Sequence, residues 1–142
     1  MPLPLQFNTL LRSISTVLLA FIGGSACLGG GLLIVDPSGL LLGLPTSMLQ
    51  TTPFENYLIP GILLFVLLGG GSLLTLGALI RTIPISPILV TAEGVCITTW
   101  IIVQITMLET AVPQQLIIGF IGVILIALGV LQWDQQSVMN KH

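Results

Sequence analysis

Residues 57–80 read YLIPGILLFVLLGGGSLLTLGALI, without one charged side chain. A helix needs about 20 apolar residues to cross the ~30 Å hydrocarbon core of a bilayer. This stretch meets the requirement alone. A strand is excluded there, because an open sheet edge in lipid leaves backbone N–H and C=O groups unpaired. Pro60 falls in the first turn of the helix, where its missing N–H costs little.

Working outward, three more segments behave the same way: 14–35, 87–107 and 115–133. The intervals between them carry turn chemistry. Asp36-Pro37-Ser38-Gly39 follows the first, Pro84 and Pro87 bracket the turn between the second and third, and Glu109-Thr110-Ala111-Val112-Pro113 precedes the fourth. The expectation is an all-α membrane protein, one domain over 1–142, built as a four-helix transmembrane bundle with a structured outer loop between helices one and two. Composition agrees. The chain is 54% hydrophobic and 6% charged, whereas soluble domains carry about 25% charged residues. A net charge of -2 leaves no basic surface for nucleic acid.

The connection from Asp36 to Asn56 is long and apolar, with Leu40, Leu41, Leu42, Leu44, Met48 and Leu49 in it. It is expected to pack on the bundle or lie in the headgroup region, with 45–50 as a short surface helix. Orientation follows the cations. Arg12, Arg81 and Lys141 share one side of a four-span model, and Asp36, Glu55 and Glu109 share the other. Both termini are therefore expected in the cytoplasm. Phe54, Tyr57 and Trp133 suit interfacial anchoring. Gly24-Ser25-Ala26-Cys27 loosely resembles a lipoprotein cleavage site. However, Gly24 stands where a bulky aliphatic residue is usual, and the apolar run continues to Val35, so no cleavage is expected.

Small residues crowd three of the helices: Gly23, Gly24 and Gly30 in the first, Gly70 and Gly77 in the second, Gly122 and Gly129 in the fourth. In lipid, small residues let backbones approach closely. The plain reading is packing within the chain; the sharper one is a subunit interface or a groove for a bound lipid or pigment. The triple glycine at 69–71 also permits a local break in the helix. Cys27 and Cys96 form no C-x-x-C and read as small packing residues.

Helix three is the most polar. Glu93, Ile97, Trp100 and Gln104 follow a single helical face, and an intramembrane carboxylate is a candidate functional group. Glu93 is only about 9 Å inside Pro87 at ~1.5 Å per residue. An interfacial glutamate paired with a snorkelling Arg81 or Arg12 is the plain alternative to a proton or cation site. The lone histidine is terminal, so a histidine metal site or general base is not expected. No catalytic residue, metal or cofactor is expected.

Asp36-Pro37-Ser38-Gly39, Leu42-Gly43-Leu44-Pro45, Pro53-Phe54 and Tyr57-Leu58-Ile59-Pro60-Gly61 form a string that continues into Trp100-Ile101-Ile102-Val103-Gln104 and Ile118-Gly119. This string resembles a family of short, uncharacterised four-helix bacterial integral membrane proteins, over about Gly30 to Leu131. The resemblance implies four spans, a structured outer loop and a bacterial cytoplasmic membrane. It implies no activity, and Glu93 and the triple glycine lie outside its pattern. Three readings remain open. The first is a structural or accessory subunit, associating with itself or with other membrane proteins. The second is a small channel or transporter using Glu93 and Gln104. The third, least supported, is an enzyme acting on lipid or quinone.

Overall fold

The computed structural model describes residues 4–141. Four long helices order the chain: α1 Leu5–Val35, α2 Leu58–Ile80, α3 Ser86–Leu108 and α4 Pro113–Met139. Each is long and apolar enough to cross a membrane, and no strand occurs among the described residues. α2 and α3, of 23 residues each, are about 34 Å long at ~1.5 Å per residue, which matches one bilayer core. Only 28–33% of the most apolar window of each helix is buried inside the bundle. The remainder is apolar too: Leu28 is 68% exposed, Leu74 77% and Phe120 66%. Water would penalise such a surface heavily, and lipid does not. The molecule is an integral membrane protein.

α1 begins nine residues before the apolar window drawn from the sequence, and α4 runs six residues beyond its own. Both overhangs are held by the bundle: Leu11 of α1 and Gln135 of α4 are buried, and Gln132 donates to Ser15 just inside them.

The helices pair as two hairpins. α1 lies along α2, and α3 along α4. On α1 the buried positions Ser15, Leu19, Ile22, Ala26, Gly30 and Leu33 repeat at helical spacing and form a single stripe. The α1–α2 seam is backbone against backbone. A Cβ on Gly30 would stand 2.7 Å from Phe65 N and 2.8 Å from Gly61 O, and one on Gly61 2.7 Å from Leu33 Cβ. The α3–α4 seam is as close. A Cβ on Gly94 would meet Gly122 O and Ile126 N at 2.7 Å each, and one on Gly129 would meet Thr91 N at 2.6 Å.

α2 is not uniform. Leu64–Gly70 winds as a π-helix between α-helical ends, and the tighter winding resumes at Gly71. The widened turn brings Leu68 and Gly69 inward. Gly69 faces Cys27 so closely that a Cβ there would lie 2.6 Å from its Sγ.

The α1–α2 connection is ordered on the bundle, as its apolar residues require. It carries two 3-10 turns, Leu40–Leu42 and Thr46–Leu49. Leu49 and Tyr57 are buried with Leu33 in a second small core, and Leu44 packs against it. Tyr57 therefore turns inward and does not anchor at the headgroups. Its hydroxyl donates to Pro45 O at 2.9 Å, and its amide to Pro37 O at 2.9 Å. Burial raises the Tyr57 phenol above its ordinary value of 10.0. Gly39 sits at φ +78° with no room for a Cβ, which would lie 2.8 Å from the Tyr57 ring.

Asp36 organises the entry to this loop. Its carboxylate accepts from the Ser38 hydroxyl, from Leu41 N at 2.9 Å and from Ser38 N at 3.2 Å. These donors, the Ser38 hydroxyl first, hold its pKa below the ordinary 3.8. A lowered carboxylate pKa gives stability that is complete above 3.8 and lost as pH falls through the native value. Protease cleavage of residues 40–50 should therefore be unchanged between neutral pH and pH 5. It should accelerate only below 3.8, and Asp36→Ala should give the acid pattern already at neutral pH. Equal protection of Asp36→Ala and wild type at neutral pH would remove this role.

Candidate functional site

Two features lie between the hairpins, at different depths. Toward the end of the bundle that carries Arg12, Arg81 and Lys141, the hairpins close on one another through polar pairs. Gln132 Nε2 donates to Ser15 Oγ at 2.9 Å, and Ser15 Oγ donates to Leu11 O at 2.9 Å. Arg12 donates to the Leu79 carbonyl at the end of α2. Arg12, Asn8, Gln132 and Gln136 line a polar cavity of about 140 Å³ there.

Deeper in the span, Glu93 of α3 is 7% exposed and meets α2. Its Oε1 accepts from Ser72 Oγ at 2.8 Å. The carboxyl rests on bare backbone, since a Cβ at Gly71 would stand 2.5 Å from Oε2. Glu93 is seven residues from Ser86, about 10 Å of helix. It is buried between α2 and α3, with a hydroxyl as the hydrogen-bond partner the structure gives it. Of the two arginines expected to snorkel toward it, Arg81 and Arg12, Arg12 donates to the Leu79 carbonyl.

Above Glu93 on the same face, Ile97 is fully buried among Leu19, Leu68 and Leu125. Beyond this apolar layer, toward the acidic end, the hairpins diverge. They leave a cleft of about 780 Å³. All four helices wall it, through Phe21, Ser25 and Gly29 of α1, Leu64 and Leu68 of α2, Trp100 and Gln104 of α3, and Gln115 and Ile118 of α4. The α1–α2 connection roofs it with Leu44, Met48 and Leu49. Thr51 ties that roof to α3 by donating to Met107 O. Apolar side chains dominate the lining. Such a volume and lining are those of a small-molecule site, commonly ~300–1,000 Å³ and mostly apolar with a few polar groups.

The three polar-face residues read from helix three therefore separate. Glu93 belongs to the contact with Ser72, while Trp100 and Gln104 belong to the cleft. The glycines also divide. Gly23, Gly30, Gly122 and Gly129 sit in the helix seams. Gly24 and Gly77 have nothing within 4 Å of a built Cβ, and Gly70 only Phe65 O at 3.8 Å. Gly69 and Gly71, noted in the sequence as part of a triple glycine, are close-contact positions, as are Gly61 and Gly94, which were not singled out for packing. Gly94 carried a usable signal, because Gly94 and Thr98 have the small-xxx-small spacing. Cys27 and Cys96 are free and half-buried. No group of three His, Cys, Asp or Glu side chains converges among the described residues.

The class these features define is a small four-span α-helical membrane protein with a lipid-depth apolar cleft. No family model, curated protein or solved structure matches the chain.

Proposed function

We propose that the chain is an accessory membrane subunit that holds one long-chain lipid in the cleft between its hairpins. It lies in a bacterial cytoplasmic membrane with both termini in the cytoplasm, which places the acidic end and the cleft in the outer leaflet. The observation that carries the reading is the 780 Å³ cleft, walled by four helices and roofed by an ordered loop. The lining is mostly apolar, and in a bilayer the apolar matter at hand to occupy such a cleft is a hydrocarbon chain. Depth favours an acyl or isoprenoid chain. Leu68, at the floor, is ten residues from Leu58, about 15 Å of helix and half of a ~30 Å core. That is the reach of one leaflet.

The channel reading gains no specific support. Ile97 and Leu68, both buried, stand between Glu93 and Gln104 in a single chain, and a polar path would need a second copy to supply it.

The test is mild extraction, then mass measurement of the intact particle. Wild-type protein should retain lipid, and Ser25→Trp, which pushes an indole into the cleft from an exposed position, should reduce retention by about tenfold, or ~1.4 kcal/mol. A second protein in fixed ratio would identify the assembly that the subunit serves. Retention equal in the two proteins, or none in wild type, overturns the proposal.

A further inference from the structure

We propose that the lipid held in this cleft carries an uncharged head that bears hydroxyl groups. The inference rests on the reading of the cleft as a lipid site and adds which lipid it takes.

The first argument is where the cations are. The sequence has three Lys and Arg residues, and none of them lines the cleft. Arg12 is held at the opposite end by the Leu79 carbonyl. Arg81 follows the last residue of α2, and Lys141 follows the end of α4. Both are a full span away from the cleft mouth, about 30 Å. A phosphate at that mouth would find no cation of this chain.

The second argument is what the rim offers instead. Asp36 closes α1 just after Leu33, Glu55 lies between Phe54 and Tyr57, and Glu109 follows Leu108. Leu33, Phe54, Tyr57 and Leu108 all line the cleft. None of the three carboxylates lines the cleft itself, so what they supply near its mouth is negative potential, which disfavours an anionic head within the ~8–10 Å screening length. An uncharged head meets no such penalty.

The third argument is the chemistry of the polar lining. Its uncharged polar groups include the carboxamides Gln104, Gln114 and Gln115 and the hydroxyls of Ser25 and Thr52, beside Trp100 and a Tyr57 hydroxyl already given to Pro45. Gln115 Oε1 already accepts from Val112 N at 3.1 Å, which leaves its amide N–H groups to donate. Gln104 is four residues from the end of α3, about 6 Å of helix, the level where a lipid's chains meet its head. Amides both donate and accept, as sugar and glycerol hydroxyls do, and they carry no charge to offset that of a phosphate.

The experiment uses the full chain in phosphatidylcholine vesicles containing equal amounts of monoglucosyl diacylglycerol and phosphatidylglycerol. The lipids that stay with the protein after mild extraction are counted by mass spectrometry. Wild type should enrich the glycolipid over phosphatidylglycerol about tenfold, the effect of one uncompensated charge contact at a partly exposed site. Gln114→Arg, an exposed position that supplies the missing cation, should shift the ratio toward phosphatidylglycerol. In a second pair, diacylglycerol should be retained over triacylglycerol, which has no hydroxyl. Equal or preferential retention of phosphatidylglycerol by wild type overturns the inference while leaving the cleft a lipid site. An unchanged ratio in Gln114→Arg, or equal retention of the second pair, overturns it as well. Retention of no lipid at all removes the cleft reading itself, and this inference with it.

Discussion

Gly94→Val should separate α3 from α4 and cost about 3 kcal/mol or more, the upper end of overpacking penalties. A Cβ at this position meets Gly122 O and Ile126 N at 2.7 Å, and Ile126 Cγ1 at 2.9 Å. Two of those three atoms are backbone, which cannot rotate aside as a side-chain end does. The only relief is to move the helices apart. That opens the contact along its length, from Gly129 against Thr91 to Gly119 against Ile101. In lipid no hydrophobic effect compensates, because the surface exposed is as comfortable in acyl chains as in protein. Gly94→Ala should already lose about 1–3 kcal/mol by the same contact. Gly77→Ala is the control. Nothing lies within 4 Å of its Cβ, and alanine is the better helix former by about 0.5–1 kcal/mol. It should therefore hold or gain stability. Unfolding in mixed detergent micelles, followed by circular dichroism, checks the series. If Gly94→Val unfolds at the same point as Gly77→Ala, the close seam does not carry the hairpin.

That contrast also shows what the sequence could reveal. Four spans were legible from hydropathy and turns, since burying backbone polar groups in lipid leaves little choice of structure. An ordered α1–α2 connection was legible too, because Leu44 and Leu49 needed somewhere to pack. The seam glycines were legible only as a set. Consecutive residues point about 100° apart on a helix, so of Gly23 and Gly24 only one can face α2. Gly23 does, with Leu73 Cδ2 2.9 Å from its built Cβ, and Gly24 faces open space. Composition cannot choose between neighbours; the azimuth of the helix does. The glycines at 69–71 suggested a broken helix. What occurs there is milder, a π-helical stretch that ends at Gly70 and keeps the chain helical throughout. The cleft was not legible. It arises because two close-packed hairpins meet near one end and diverge at the other, and no residue pattern records the space they leave. Its lining is drawn from all four helices and a loop, so no one helical face announces it.

Glu93→Lys should cost several kcal/mol, while Glu93→Gln should leave stability unchanged within about 1 kcal/mol or raise it. The side chain is buried, accepts from Ser72 at 2.8 Å and lies against Gly71. A fixed charge at the centre of a membrane helix costs ~2.5–3.5 kcal/mol on insertion scales, an upper bound for Glu93, which lies nearer the start of α3. Lysine carries that charge, and it also removes the acceptor that Ser72 uses. Glutamine keeps the acceptor oxygen and nearly the same shape, and it has no charge to bury. The carboxyl's place further depends on the missing side chain at position 71. Gly71→Ala should push that side-chain end aside and loosen the Ser72 contact, losing about 1 kcal/mol or less, because the atoms it meets are the rotatable end of Glu93. The same variants separate two roles for the group. If Glu93 only joins α2 to α3, Glu93→Gln keeps both stability and lipid retention. If it carries a proton or a cation through the bilayer, Glu93→Gln keeps stability and abolishes ion flux into reconstituted vesicles. The apolar layer of Leu19, Leu68, Ile97 and Leu125 stands between Glu93 and the cleft. With that layer closed, a single chain gives an ion no path from one to the other, and the first outcome is the expected one.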